Sequence, residues 1–200
     1  MSYVLTPFLV DLAEVEAVVG CKDASIVEAV KAVNPDAYED EDEDEEVPRV
    51  VALRHLIMGE PREPESGHQY GYALRDICEF KGEELGSDWW NGVRWEAIED
   101  CGLEELFKKT GSPIELPPIE DFPTIGHIKR NGIGAYLQRA KELRAKIERK
   151  QSGGLWAAVR RATGSKAESK ARGLLELLDE YTGWLEIAAK KDKDIVFFYY

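Results

Sequence analysis

Gly67-His68-Gln69-Tyr70-Gly71-Tyr72-Ala73-Leu74-Arg75-Asp76-Ile77-Cys78-Glu79-Phe80 is the stretch from which the fold of this chain is read. Tyr70, Ala73, Leu74, Ile77 and Phe80 recur at helical spacing and mark one apolar face. His68, Tyr72, Arg75, Asp76 and Glu79 lie off that face or at its margin. The spacing predicts a helix buried on one side, with the chain's most unusual polar residues near its start. Pro61 and Pro64 mark the polar loop that leads into it, and Gly82 and Gly86 close it.

Towards the N-terminus, Val50, Leu53, Leu56 and Ile57 predict a helix ended by Gly59. Leu12, Val15, Val18 and Val19 predict a short helix capped by Asp11, with Glu14 completing a box-like pair. Ile26, Val27, Val30 and Val33 predict another, capped by Asp23 or Ser25 and ended at Asn34-Pro35. Tyr3 to Val10 reads as a strand. Pro7 has no N–H to give a ladder, so an edge position or a bend is expected there.

Towards the C-terminus, Trp95, Ile98 and Cys101 suggest one helix, and Leu103, Leu106 and Phe107 another, stopped by Gly111. Ser112 to Thr124 holds four prolines and reads as an extended segment lying along the core. Ile125 to Gly134 reads as a glycine-rich transition. Tyr136, Leu137, Ala140, Leu143 and Ile147 then form a helical stripe with a basic opposite face. Residues 152–166 read as a helical insertion. Ser165 and Glu168 form a capping box for a last long helix, whose stripe runs from Ala171 to Ala188. Ile195 to Tyr200 is a continuous β-branched and aromatic run, hence a strand. Pairing it with the N-terminal strand gives the expected fold: α+β, a mainly helical single domain over 1–200, with a small sheet formed by the two ends of the chain.

The 200 residues carry a net charge of −13, placed unevenly. Residues 1–128 hold 10 Lys/Arg against 30 Asp/Glu, and residues 129–172 hold 13 against 3. Eight consecutive acids, Glu39 to Glu46, sit inside a segment (36–46) that reads as a solvated loop, because like charges this dense repel. No apolar run is long enough to cross a bilayer. The first residues lack a basic region followed by an apolar core. Three widely spaced cysteines, Cys21, Cys78 and Cys101, fit reduced thiols better than a disulfide framework. The expected location is therefore the cytoplasm.

Catalytic signatures are sparse. His55, His68 and His127 share no i, i+4 spacing and there is no Cys-x-x-Cys, so no metal or other cofactor is expected. There is no Gly-x-Ser-x-Gly, Walker-type loop or Gly-x-Gly-x-x-Gly. Cys78 next to Ile77 reads as a packing residue. Adjacent carboxylates such as Glu83-Glu84 follow from an acidic composition. Trp89 and Trp90 are neighbours whose side chains cannot both point the same way, so one is left to cover a neighbour or line a groove. Tyr70, Tyr72, Trp89 and Trp90, with Arg75 at the rim, have the composition that interfaces concentrate and that cores also contain.

Several segments together resemble an uncharacterised family of bacterial proteins. They are Ser2-Tyr3-Val4-Leu5 leading to Val10-Asp11-Leu12, then Leu53-Arg54-His55-Leu56-Ile57-Met58-Gly59, His68-Gln69-Tyr70-Gly71-Tyr72-Ala73-Leu74 and the closing aromatic strand. The resemblance implies a bacterial cytosolic protein and assigns no residue a role.

The leading functional expectation is a non-enzymatic module that binds another protein, in one form an immunity or inhibitor protein against a basic toxin or nuclease. Its expected binding residues are His68, Tyr72, Arg75, Asp76, Trp89 and Trp90. An enzyme with a cleft near His68, Tyr72, Arg75 and Asp76 is the alternative. Nucleic-acid binding through the basic segment 129–172 is the third reading, opposed by the acidic remainder.

Overall fold

A computed structural model describes residues 4–38, 46–86, 99, 104–120, 122–152 and 165–200. Strand β1 (Leu5–Val10) leads into helices α1 (Leu12–Val18) and α2 (Ala24–Lys31). Asp11 and Asp23 cap these helices, accepting from the amides of Ala13 at 3.1 Å and Ser25 at 2.9 Å. A short 3-10 turn, Pro35–Tyr38, follows Asn34. Helix α3 (Arg49–Met58) ends at Gly59 in the left-handed region, and α4 (Gly67–Lys81) is the helix anticipated above. Beyond it lie β2 (Glu83–Glu84), α5 (Glu104–Thr110) and β3 (Thr124–Ile128). Helices α6 (Ile133–Ser152) and α7 (Ser165–Lys191) and strand β4 (Asp194–Tyr199) complete the order.

The sheet is antiparallel in the order β2-β1-β4-β3. The two ends of the chain do pair, Leu5 opposite Tyr199 and Val10 opposite Asp194. Two strands join them that the sequence reading placed elsewhere. β3 occupies the stretch read as a transition, and β2 consists of two acids. Strand β1 is thus interior, where Pro7 suggested an edge. Val4 and Tyr200 exchange backbone hydrogen bonds, so even-numbered residues of β1 bond towards β4 and Pro7 faces β2. There its carbonyl accepts from Leu85 N–H at 2.9 Å, and its missing N–H removes no bond to β4.

Alternation along the strands divides the core in two. Leu5, Leu9, Ile128, Ile195, Phe197 and Tyr199 face α6 and α7, where they meet Ile133, Leu178, Tyr181, Trp184 and Leu185. Phe8, Val10, Ile125, Val196 and Phe198 face the other way and pack with residues of α1 to α4, including Leu53, Leu56, Leu74 and Ile77. Both faces of β1 and β4 are covered, so both strands are buried along their whole length. The result is three layers, helices–sheet–helices. At one end of the sheet, Asp194 accepts from Leu12 N–H at 2.9 Å and from Arg130 N–H at 2.7 Å, which ties α1 and the approach to α6 to β4.

The proline-rich segment lies along α4, as its interleaved apolar residues predicted. A Cβ on Gly67 would overlap the Pro118 carbonyl, and one on Gly71 would stand 2.8 Å from the Pro123 ring. These glycines let the segment approach the helix closely. Among the described residues, no helix is long and apolar enough to cross a membrane.

Candidate functional site

Helix α4 sends Tyr70, Ala73, Leu74, Ile77 and Cys78 into the core. Its flank carries His68, Tyr72, Arg75, Asp76 and Glu79, spaced so that they share one side of the helix. Asp76 is only 2% exposed. A buried carboxylate must be paired, and three groups do so. Arg49, the first residue of α3, grips it with a fork: Nε donates to Oδ2 at 2.8 Å and Nη2 donates to Oδ1. The Tyr38 hydroxyl also donates to Oδ2. Arg75 Nη1 stands 3.6 Å from Oδ1. The Arg49 guanidinium lies over two rings, 5.5 Å from the centre of Tyr38 and 5.4 Å from that of Tyr72. Burial, and then the charge of Asp76, push the Tyr38 phenol well up, so it stays a donor.

Arg75 builds a second, similar arrangement. Its Nη1 donates to Glu79 at 3.0 Å and its Nε to the Tyr200 hydroxyl at 3.2 Å. Its guanidinium lies 5.5 Å from the centre of Phe8 and 6.0 Å from that of Tyr200. Burial disfavours its charge, but Tyr200 and Glu79 outweigh burial and hold its pKa up. Tyr200 also bonds Thr6 at 3.1 Å and meets Tyr72 edge to face at 6.1 Å. The two motifs therefore form one patch, contributed by the 3-10 turn, α3, α4, β1 and the residue after β4. Arg49 and Arg75 keep 17% and 15% of their side chains exposed, and Tyr38, Tyr72 and Tyr200 are likewise half-buried. Two guanidiniums face two carboxylates, so the patch is close to neutral. Cys78, two residues from Asp76, is fully buried, and burial pushes its thiol up, away from the reactive thiolate.

The structure thus brings together three of the expected residues, Tyr72, Arg75 and Asp76. His68 lies one helical turn before Tyr72 and is half-buried. Trp89 and Trp90 fall outside the described residues. Tyr38, Arg49, Thr6 and Tyr200 were not anticipated. Of these, Tyr38 had a visible cue, an aromatic directly abutting the acidic run. The other histidines hold structure together. His55 Nδ1 meets the Tyr70 hydroxyl at 2.8 Å, which also accepts from Glu63 N–H at 2.9 Å. His127 Nδ1 meets the Gly111 carbonyl at 3.0 Å. Among the described residues no cluster of three or more His, Cys, Asp or Glu could hold a metal. An open groove of about 390 Å³ runs between the proline-rich segment and β3, lined by Ile114, Leu116, Ile119 and Ile125 among others; its lining does not include the patch. Within the basic segment, Arg130 pairs with Asp11 and Asp194, Arg139 with Glu105, Lys141 with Glu186 and Arg144 with Asp179.

The fold and the patch define a class: an α+β protein whose sheet is covered on both faces, with arginines laid over aromatic rings at one margin. The chain belongs to the family described as Domain of unknown function (DUF7691), whose model matches residues 1–200. No curated protein and no solved structure matches it.

Proposed function

We propose that this protein is a cytoplasmic, non-enzymatic module that binds another protein, of the immunity or inhibitor type, through the Tyr38–Arg49–Tyr72–Arg75–Tyr200 patch. The observation that carries this reading is the pre-organisation of the patch. Asp76 and Glu79 hold both guanidiniums over aromatic rings while the outer edges stay exposed. Tyrosine and arginine are the residues on which interface energy concentrates, and side chains already fixed lose little entropy on binding. The chemistry of the patch points the same way. Its carboxylates are engaged by arginine, its phenol is held protonated, and the nearby thiol is buried. The net charge of −13 favours a basic partner and speeds its approach.

The test is capture from nuclease-treated lysate of the native host, at low and high salt, by wild-type protein and by a Tyr72→Ser variant shown to keep its thermal midpoint. One stoichiometric protein, released by salt and not retained by the variant, is the expected result. A partner held equally by both proteins, or no stoichiometric partner, overturns the reading.

A further inference from the structure

Arg49 stands where a bound ligand would stand. Its guanidinium rests on Tyr38 and Tyr72, and Asp76 takes its fork from below, with the Tyr38 hydroxyl donating to the same carboxylate. Rings beneath a cation and a carboxylate in its plane are the features by which proteins recognise a guanidinium from outside. We propose that Tyr38, Tyr72 and Asp76 form a guanidinium-binding cage, filled by Arg49 in the free protein and by an arginine of the partner in the complex. This rests on the reading of the patch as a protein-binding surface and names the side chain the partner presents.

Arg49 is built to leave. It is the first residue of α3, and its N-cap is Pro48, which makes no side-chain cap. By contrast, α1 and α2 are capped by Asp11 and Asp23. The first amides of a helix have no partner within the helix, so an uncapped first turn opens at small cost. The rest of α3 stays in place, because Ala52, Leu53, Leu56 and Ile57 are fully buried. Arg75 lacks this freedom, since it lies in mid-helix and is tied to Glu79 and Tyr200. Exchanging one guanidinium for another also leaves Asp76 paired in both states, so the large cost of a lone buried carboxylate never arises. The cage selects arginine over lysine, because an ammonium cannot donate in a planar fork.

The test removes the internal occupant. An Arg49→Ala variant is titrated with methylguanidinium and with methylammonium, following binding by NMR and stability by thermal melting. The variant is expected to bind methylguanidinium saturably, at least about tenfold more tightly than wild type, and to regain thermal stability with it; methylammonium does neither. Absence of binding overturns the cage while leaving the protein-binding surface to its own capture experiment. Should the variant not fold, wild type is titrated with N-acetyl-arginine amide while the Arg49 Nε–Hε resonance is watched. Movement or loss of that resonance is expected, and an unchanged resonance overturns the proposal.

Discussion

Asp194 accepts four hydrogen bonds, from Leu12 N–H and from the backbone and side chain of Arg130. These donors belong to the two helical layers. Burial alone would raise its pKa, but the Arg130 side chain and the two amides outweigh burial and hold the carboxyl below its usual range. A carboxyl lowered in the folded state contributes stability that is fully present above the unfolded value of about 4 and is lost as pH falls below it. Asp194→Asn is expected to cost about 3 kcal/mol at neutral pH, because it leaves Arg130 and two amides poorly paired. In urea titrations that deficit should shrink as pH falls from 7 to 3. Parallel acid sensitivity in the two proteins would remove Asp194 as the titrating group. Asp194 also shows why single residues are hard to read in a sequence. Its role depends on Leu12 and Arg130, far away in the chain. The patch has the same property. Tyr72, Arg75 and Asp76 were legible because one helix carries them, whereas Arg49 and Tyr200 reach them only through tertiary packing.

Helix α4 carries a local conflict. Glycine weakens a helix, yet Gly67 and Gly71 sit where the proline-rich segment comes closest. Gly67→Ala would improve helix propensity by about 1 kcal/mol, but the new methyl meets the Pro118 carbonyl. The expected outcome is a net loss of about 2 kcal/mol by urea denaturation. Gly183 in α7 is the control, since a Cβ there has nothing within 4 Å. Gly183→Ala should stabilise by up to about 1 kcal/mol. Equal effects at the two sites would mean that propensity, not close approach, governs α4. Helices α1 to α4, α6 and α7 were legible because each carries an apolar stripe at the right period. The strands were uneven. β1 and β4 declared themselves through dense β-formers. β3 was hidden by Gly126 and the neighbouring prolines, and its strand character comes from pairing with β4. β2 is two acids whose only sheet credential is a place beside β1.

The molecule has two apolar cores and one sheet between them. Leu53 lies in one core and Leu185 in the other, both fully buried. Because β1 and β4 wall both cores, damage to either should weaken the whole. Leu53→Ala and Leu185→Ala are each expected to cost about 3 kcal/mol. In each case, circular dichroism and tryptophan fluorescence should give coincident single transitions. Separate transitions for either variant would mean that the layers melt independently. The layering was not legible in advance, because amphipathic stripes say that a helix is covered on one side and not which face of a sheet covers it. The pairing of β1 with β4 also has a consequence for synthesis. The partners are separated by about 190 residues of chain. At a ribosomal rate of about 5–20 residues per second, β1 waits roughly 10 to 40 s for its neighbour. Throughout that interval Leu5, Phe8, Leu9 and Val10 form an unpaired apolar segment, so the nascent chain is a substrate for chaperones until its last strand emerges.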